Sequence, residues 1–296
     1  NDTTSFTAGV FLSDLEMIEH NEFTYPGSAK LDAKYAPNYP HTNPQPGQGG
    51  NAGAGWYSQP GPYNAPIIFV NDILRTDEQK GVFGEVNIAL QDDVELTLGA
   101  RWYDIAVDLE GSANGAYGNK GATSDSGGGG ANLSTQYGPN NTNGYPDKAE
   151  TDGVIGKATL SWKPTEDTMY YVTWSEGFRP GLLNRPAGTS NAAGTYTIPA
   201  VTDTDEVTNF EFGWKATLMD GALRFNGSAY MVDITGLQST IFDAAIVNLF
   251  FSDNAADAEI SGVEGDFVYV TGNGLMLSGA FSVLDSELTK SLVPTS

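Results

Sequence analysis

Two kinds of connection alternate along this chain, and that alternation restricts its fold more than any other feature. Tight turns at Asp92-Asp93, Thr165–Asp167, Asp220-Gly221 and Gly272–Gly274 carry Asp or Gly, the residues that tolerate positive φ in a sharp reversal. Between them lie long stretches rich in Gly, Asn and Pro, at 19–66, 111–151, 179–204 and 243–258. The segments they join alternate apolar and polar residues with a period of two, the mark of a strand with two different faces. Nine strands are expected, starting near Ser5, Ile67, Val94, Asp152, Thr168, Asp205, Ala222, Glu259 and Gly274. Every tight turn then falls at one end of the sheet and every long loop at the other.

This arrangement discriminates between β architectures. An immunoglobulin-like sandwich spreads its loops over both ends, whereas a transmembrane barrel keeps short turns on one rim and long loops on the other. No segment approaches the roughly 20 apolar residues of a membrane helix, so any spanning structure must be built from strands. The expected fold is all-β, an antiparallel up-and-down transmembrane β-barrel.

The faces agree. Val94, Leu96, Leu98, Ala100 and Trp102 alternate with Glu95, Thr97, Gly99, Arg101 and Tyr103. Phe210, Phe212 and Trp214 alternate with Glu211, Gly213 and Lys215. Charges of both signs share the polar face, which suits a wet lumen. Glu95, Arg101, Lys157, Glu211, Lys215, Arg224 and Glu264, with Glu85 and Asp266, are expected to line it and to pair across the wall. Trp162 and Tyr170 lie beside a tight turn while Trp102 and Trp174 lie higher. An eight-residue separation at about 3.3 Å rise and about 40° tilt gives on the order of 20 Å, close to the spacing of two aromatic girdles.

Composition removes several functions. The formal charge is -23, so a basic footprint for nucleic acid is lacking. There is no cysteine, hence no disulfide framework or thiolate metal site. His20 and His41 have no carboxylate partner at ligand spacing, and Asp203, Asp205 and Glu206 in TDTDE lack the glycine and closing Glu of a calcium loop. These three acids are expected to cap a strand start. No nucleophile-base set, phosphate loop or dinucleotide fingerprint is present, so no catalytic residue, bound metal or cofactor is expected.

Four motifs then give a family resemblance. KGVFGEVNIALQDDVELTLGARWYD, 80–104, resembles the barrel hairpin of TonB-dependent outer-membrane receptors, an aromatic-Gly pair, a polar turn, then LTxGxRY. YYVTWSEGFRPGLLNRP resembles their SxGFRxP corner. The stretch 204–238 is similar to their PExxxNYExGxK strand and following hairpin, and FSDNAADAEISGVEGDF to their NAxxAxxxGxE element. The motifs occur in family order across most of 80–267.

The resemblance implies a barrel of about 22 strands with an N-terminal plug. Neither a plug nor an energy-coupling box is found, and residues 1–296 are expected to be a partial barrel domain of about nine strands. It further implies bacterial outer-membrane lipid around the wall and a TonB-type energising complex acting through the plug. The ligand would be a scarce small molecule such as a ferric siderophore, a cobalamin or an oligosaccharide. The loops 19–66, 111–151, 179–204 and 243–258 would be extracellular. Candidate ligand-binding residues are Arg179 in the GFRPG corner, Asn184 and Arg185 just beyond it, and the loop aromatics Trp56, Tyr57 and Tyr63. Arg179 has an alternative role as a clamp that fixes its corner. A passive porin and a secreted acidic β-sandwich or adhesin stand as alternatives.

Overall fold

The computed structural model describes residues 3–27, 67–115, 130–243, 245–247 and 249–291. Its strands are β1 (Thr4–Thr24), β2 (Ile67–Gln91), β3 (Val94–Gly115), the short β4 (Gly130–Asn132), β5 (Ala149–Thr165), β6 (Thr168–Arg179), β7 (Asp205–Leu218), β8 (Leu223–Ile241), β9 (Phe251–Val270) and β10 (Met276–Ser291). One helical turn, α1 (Leu133–Gln136), follows β4. All strands join a single antiparallel sheet in the order β1-β2-β3-β5-β6-β7-β8-β9-β10, with β4 added beside β3. No second sheet packs against it among the described residues, which removes the β-sandwich alternative. The barrel is not closed in this chain: β1 pairs with β2 alone and β10 with β9 alone.

The nine long strands are those expected, with longer reach at the loop end. β1 continues to Thr24, β3 to Gly115, and β9 begins at Phe251 where its start was expected at Glu259. The apolar alternation stops in these upper segments, as in Asn71, Asp72, Arg75, Thr76 and Asp77 of β2, which hides their strand character. Ladder pairing with a neighbour keeps them extended nonetheless: Asn71 pairs with Asn21 on one side and Ala113 on the other. Since about 9–11 tilted residues cross a bilayer, the 25 residues of β2 extend well beyond any apolar band.

At the turn end two of the four reversals use the expected left-handed residues: Asp220 (φ 55), Gly221 (φ 87) and Gly274 (φ 86), with Met219 (φ 57) also drawn in, whereas the turns at Asp92-Asp93 and Thr165–Asp167 close without a positive φ.

One face carries the exposed apolar side chains Leu98, Trp102, Leu160, Trp162, Val172, Phe210, Phe212 and Met231. An aromatic belt crosses it near the turns: Trp162 to Tyr170 (5.8 Å), Tyr170 to Phe212 (6.4 Å), Phe212 to Trp214 (6.2 Å) and Trp214 to Phe225 (5.6 Å between centroids). Trp102 lies eight positions above Val94, which pairs with Trp162, so it stands at girdle height. Trp174 does not: register puts it opposite Ala158, four positions above Tyr170, or about 10 Å. It packs over Gly156 inside the band. Carboxylates follow directly above on this face, with Asp104 opposite Asp152 and Asp233 opposite Glu259.

The other face is knit by rings laid over glycines. A Cβ at Gly153 would come within 2.6 Å of the Tyr103 hydroxyl, and one at Gly262 within 2.6 Å of Tyr230. At Gly213 the Tyr171 ring occupies the place of a side chain altogether. Each ring thereby covers its neighbour's bare backbone, which compensates for the poor packing of glycine in a strand.

Gly213→Val is expected to displace Tyr171 and cost about 1–3 kcal/mol of stability, measured by urea unfolding from lipid vesicles. Combined with Tyr171→Ala the penalty should shrink, the interaction being shared by the pair.

Candidate functional site

The loop between β6 and β7 is the functional feature that the fold positions most tightly. β6 stops where Pro180 lacks an N–H to continue the ladder. Gly181 follows, and a Cβ there would collide with the Thr202 carbonyl oxygen, so no side chain fits. From there the chain doubles back as an irregular hairpin. Asn184 N donates to Ala200 O (2.9 Å), Gly188 N to Ile198 O (2.9 Å) and Thr202 N to Leu182 O (2.9 Å).

Its neck is held by Asp205, which is 1% exposed. The carboxylate accepts from Arg179 N (3.0 Å), Arg179 Nε (2.7 Å), Arg179 Nη2 and Gln238 N (3.3 Å). Arg179 Nη2 also donates to Gln238 O (3.1 Å). The Gln238 amide donates to Pro180 O (2.9 Å) and Asp203 O (3.0 Å). Arg179 is thus a clamp for its corner, with its guanidinium committed to Asp205 and β8. Asp205 is the buried counter-charge of that clamp as well as the cap that sequence suggested.

Farther along, Asn184 is buried at 3% exposure and docks the loop on β9. Its Nδ2 donates to Ser252 O (2.7 Å) and Pro199 O (2.9 Å), while its Oδ1 accepts from Ser252 N (2.7 Å). Gln136 Nε2 donates to Asn184 O (2.8 Å), and the Tyr137 hydroxyl lies between the carbonyls of Asn184 and Ala200. Burial holds the Tyr137 proton on, raising its pKa. Arg185 reaches the opposite wall, where Nη1 donates to Asn71 Oδ1 of β2 (3.0 Å). One loop therefore touches β2 and β9, six steps apart in the strand order. That is possible only because the sheet curls around it.

The buried apolar groups lie in the same place. Leu183, Ala187 and Ile198 of the loop, Leu133 of α1 and Tyr137 just after it, and Val247 and Leu249 before β9 cluster with Ile73, Ile105 and Val107. This core is a lining packed inside the upper wall. Tyr103 stacks on Phe178 at 3.7 Å beneath it.

A cleft of ≈ 230 Å³ opens between the loop and the wall, lined among others by Glu19, Ile73, Arg75, Leu109, Arg185 and Phe251. Burial lowers the pKa of Arg185, opposed by the charge of Glu19. A second, broader hollow of ≈ 540 Å³ lies lower, with Tyr171, Lys215, Asn226, Glu264 and Asp266 on its walls.

The expected charge ladder is built in part. Lys157 pairs with Glu85 (3.1 Å) and Arg224 with Asp266 (3.9 Å). Glu211 accepts from the Tyr171 hydroxyl, and Arg101 lies over the Phe11 ring (5.9 Å). Glu95, Lys215 and Glu264 form no ion pair among the described residues. Trp56, Tyr57, Tyr63 and His41 lie outside the described residues. His20 has the carboxylate partners that sequence spacing concealed, Asp72 at 3.2 Å and Glu22 at 3.3 Å. No group of three or more metal-ligating side chains assembles among the described residues. Gln238, Asn71 and Glu19 carry no local signal in the sequence, since Gln238 is brought to the loop neck by the neighbouring strand β8, Asn71 meets Arg185 across the curve of the wall, and Glu19 joins them through Asn71.

A curled sheet with one apolar and one polar face, turns at one rim and in-folded loops at the other is a section of a membrane-barrel wall. The family description "TonB dependent receptor-like, beta-barrel" matches residues 2–292, and the chain belongs to that family. Among curated proteins it is similar to a "Probable TonB-dependent siderophore receptor PiuA" of Acinetobacter baumannii, 25% identical over 146 residues, 49% of this chain and 19% of that protein. The solved siderophore receptor PiuA from Acinetobacter baumannii aligns over 97% of this chain and 36% of its own, with TM-score 0.55 and 20% identity. The ferric yersiniabactin uptake receptor FyuA from Yersinia pestis aligns over 76% and 29%, with TM-score 0.53 and 15% identity. The copper transporter OprC aligns over 74% and 29%, with TM-score 0.52 and 13% identity. This chain thus spans about a fifth of the curated relative and about a third of the solved chains.

Two outcomes are expected. Asp205→Asn should leave Arg179 without its buried counter-charge and cost about 1–3 kcal/mol, seen as faster hydrogen exchange at 180–204. The Tyr196 hydroxyl donates to Asp253 of β9 (2.6 Å), and burial, then that bond, raises its pKa above the ordinary 10.0. Because the folded loop holds this proton more tightly than an unfolded chain, its contribution is complete below the ordinary tyrosine value and lost as pH climbs beyond it. Relative to the base-catalysed intrinsic rate, protection of the loop amides should fall in that alkaline range, and Tyr196→Phe should remove that fall.

Proposed function

We propose that this chain is the wall and vestibule of an outer-membrane receptor that takes up a ferric siderophore or a similar scarce chelate. The observation that carries the reading is the 180–204 loop folded against the inner face of the wall, leaving a cleft beside Arg185. The name of the curated relative supports it, a probable TonB-dependent siderophore receptor. The likeness to a copper transporter is one of fold and carries no substrate with it.

On this reading the outward face meets lipid and the inward face meets water and a plug. Loops at the long-loop rim are extracellular and collect ligand, and a TonB-type partner supplies the energy to release it inward. No step involves bond chemistry at the protein, so the receptor is not an enzyme. An in-folded loop is also how a passive porin narrows its lumen, and single-channel conductance from the full-length protein would select that reading instead.

Two tests follow. Leu98→Arg, on the outward face, should cost about 2–4 kcal/mol in refolding into vesicles, and Thr97→Arg, on the inward face, far less. In an iron-limited strain, replacing 183–199 by two glycines should abolish uptake of labelled ferric chelate. Uptake that persists in a strain lacking the energising complex would overturn the energy-coupled reading.

A further inference from the structure

Charges in the ≈ 230 Å³ cleft balance in an unusual way. Arg75 is satisfied on the spot by Asp77, with Nε to Oδ1 at 2.7 Å and Nη2 to Oδ2 at 2.9 Å. That leaves Arg185 and Glu19, which line the same cleft yet make no ion pair with each other among the described residues. Among the described residues Arg185 uses one of the five N–H donors of a guanidinium, Nη1 to Asn71 Oδ1. Glu19 accepts through Oε1 alone, from Asn21 Nδ2 (2.5 Å) and Asn71 Nδ2 (2.5 Å), so Oε2 is open among the described residues.

Asn71 sets the distance between them. Its amide oxygen faces the cation and its amide nitrogen faces the anion, so the two charges stand one amide width and two hydrogen bonds apart. The side chain is 2% exposed and fixed. A group that presents an acceptor to Arg185 and a donor to Glu19 over that same short span is an α-amino acid head, carboxylate beside ammonium. The flanking Ile73, Leu109 and Phe251 offer an apolar wall to what the head carries.

We propose that this cleft is a binding site for an amphoteric ligand group, its carboxylate on Arg185 and its ammonium on Glu19, with Asn71 as the positioning residue between them. The ligand class follows from charge. A purely anionic group would leave Glu19 opposed and meet a chain of charge -23, while a purely cationic one would leave Arg185 opposed; a zwitterion satisfies both. The source is either a free amino acid or the amphoteric end of a larger chelate. For its place in biology the site rests on the uptake reading above, although binding is measurable without it.

The experiment uses the full-length receptor in detergent micelles and calorimetric titration with three probes of one shape: L-leucine, N-acetyl-L-leucine, which lacks the ammonium, and L-leucinamide, which lacks the carboxylate. L-leucine should bind at least about tenfold more tightly than either, one charge-assisted contact being lost in each analogue. Arg185→Gln should bring leucine down to the level of leucinamide, and Glu19→Gln to that of N-acetyl-leucine. Thr195→Ala at the loop tip should change neither. Heat-dependent gel mobility checks that each variant is folded, and the wild-type probe series stands by itself where one is not. Either analogue binding as tightly as leucine overturns the proposal, as does unchanged leucine binding in both folded variants. Competition of leucine with labelled chelate in cells distinguishes the two sources. A wild-type receptor that binds no leucine yet takes up chelate normally would sink this site and leave the uptake reading intact.

Discussion

Backbone pairing is the constraint from which everything else in this structure descends. A wall between lipid and water cannot leave N–H and C=O groups bare on its apolar side, so the strands are tied to one another in long antiparallel ladders. Thr4↔Ile88 through Thr24↔Ile67 in the first hairpin show how far that goes. Once register is set, side chains are sorted without further choice, and a slip of one residue would exchange the faces. Rows of Leu, Phe and Trp on one side and mixed charges on the other are the result.

The same pairing explains the glycines. With strands fixed at the ladder spacing, tyrosine and phenylalanine rings have room on their own face only where a neighbour lacks a side chain. Gly153, Gly213 and Gly262 supply that room to Tyr103, Tyr171 and Tyr230. Packing within the wall is thus lateral, ring on backbone. The buried apolar cluster forms elsewhere, where the in-folded loops meet the upper strands.

That loop core turns a curved wall into a site. Among the contacts that hold the 180–204 segment are the Arg179–Asp205 clamp at its neck, Asn184 on β9 and Arg185 on β2. Because those anchors lie on distant strands, the loop is braced across the curve. The cleft beside it therefore has fixed walls, which is what selective binding requires.

The sequence by itself determined the strands, their two faces and the segregation of turns from loops. These are local, periodic properties: alternation at period two and Asp or Gly at reversals act over a few residues, and the family motifs sit on the same segments. It also determined that Arg179 belongs to a corner. It did not reveal the upper strand segments, where polar residues on both faces erase the periodicity and only neighbours keep the chain extended. Nor could it reveal that Trp174 lies inside the band, since height on the wall is a matter of register. The partners of the site residues were beyond it for the same reason. Asp205 and Gln238 reach the loop neck through the pairing of β6, β7 and β8, whereas Asn71, with Glu19 beside it, meets Arg185 only because the sheet curls, and curling is set by how many strands pair and how they twist. Tertiary structure alone decided which charges pair with each other and which remain open to a ligand.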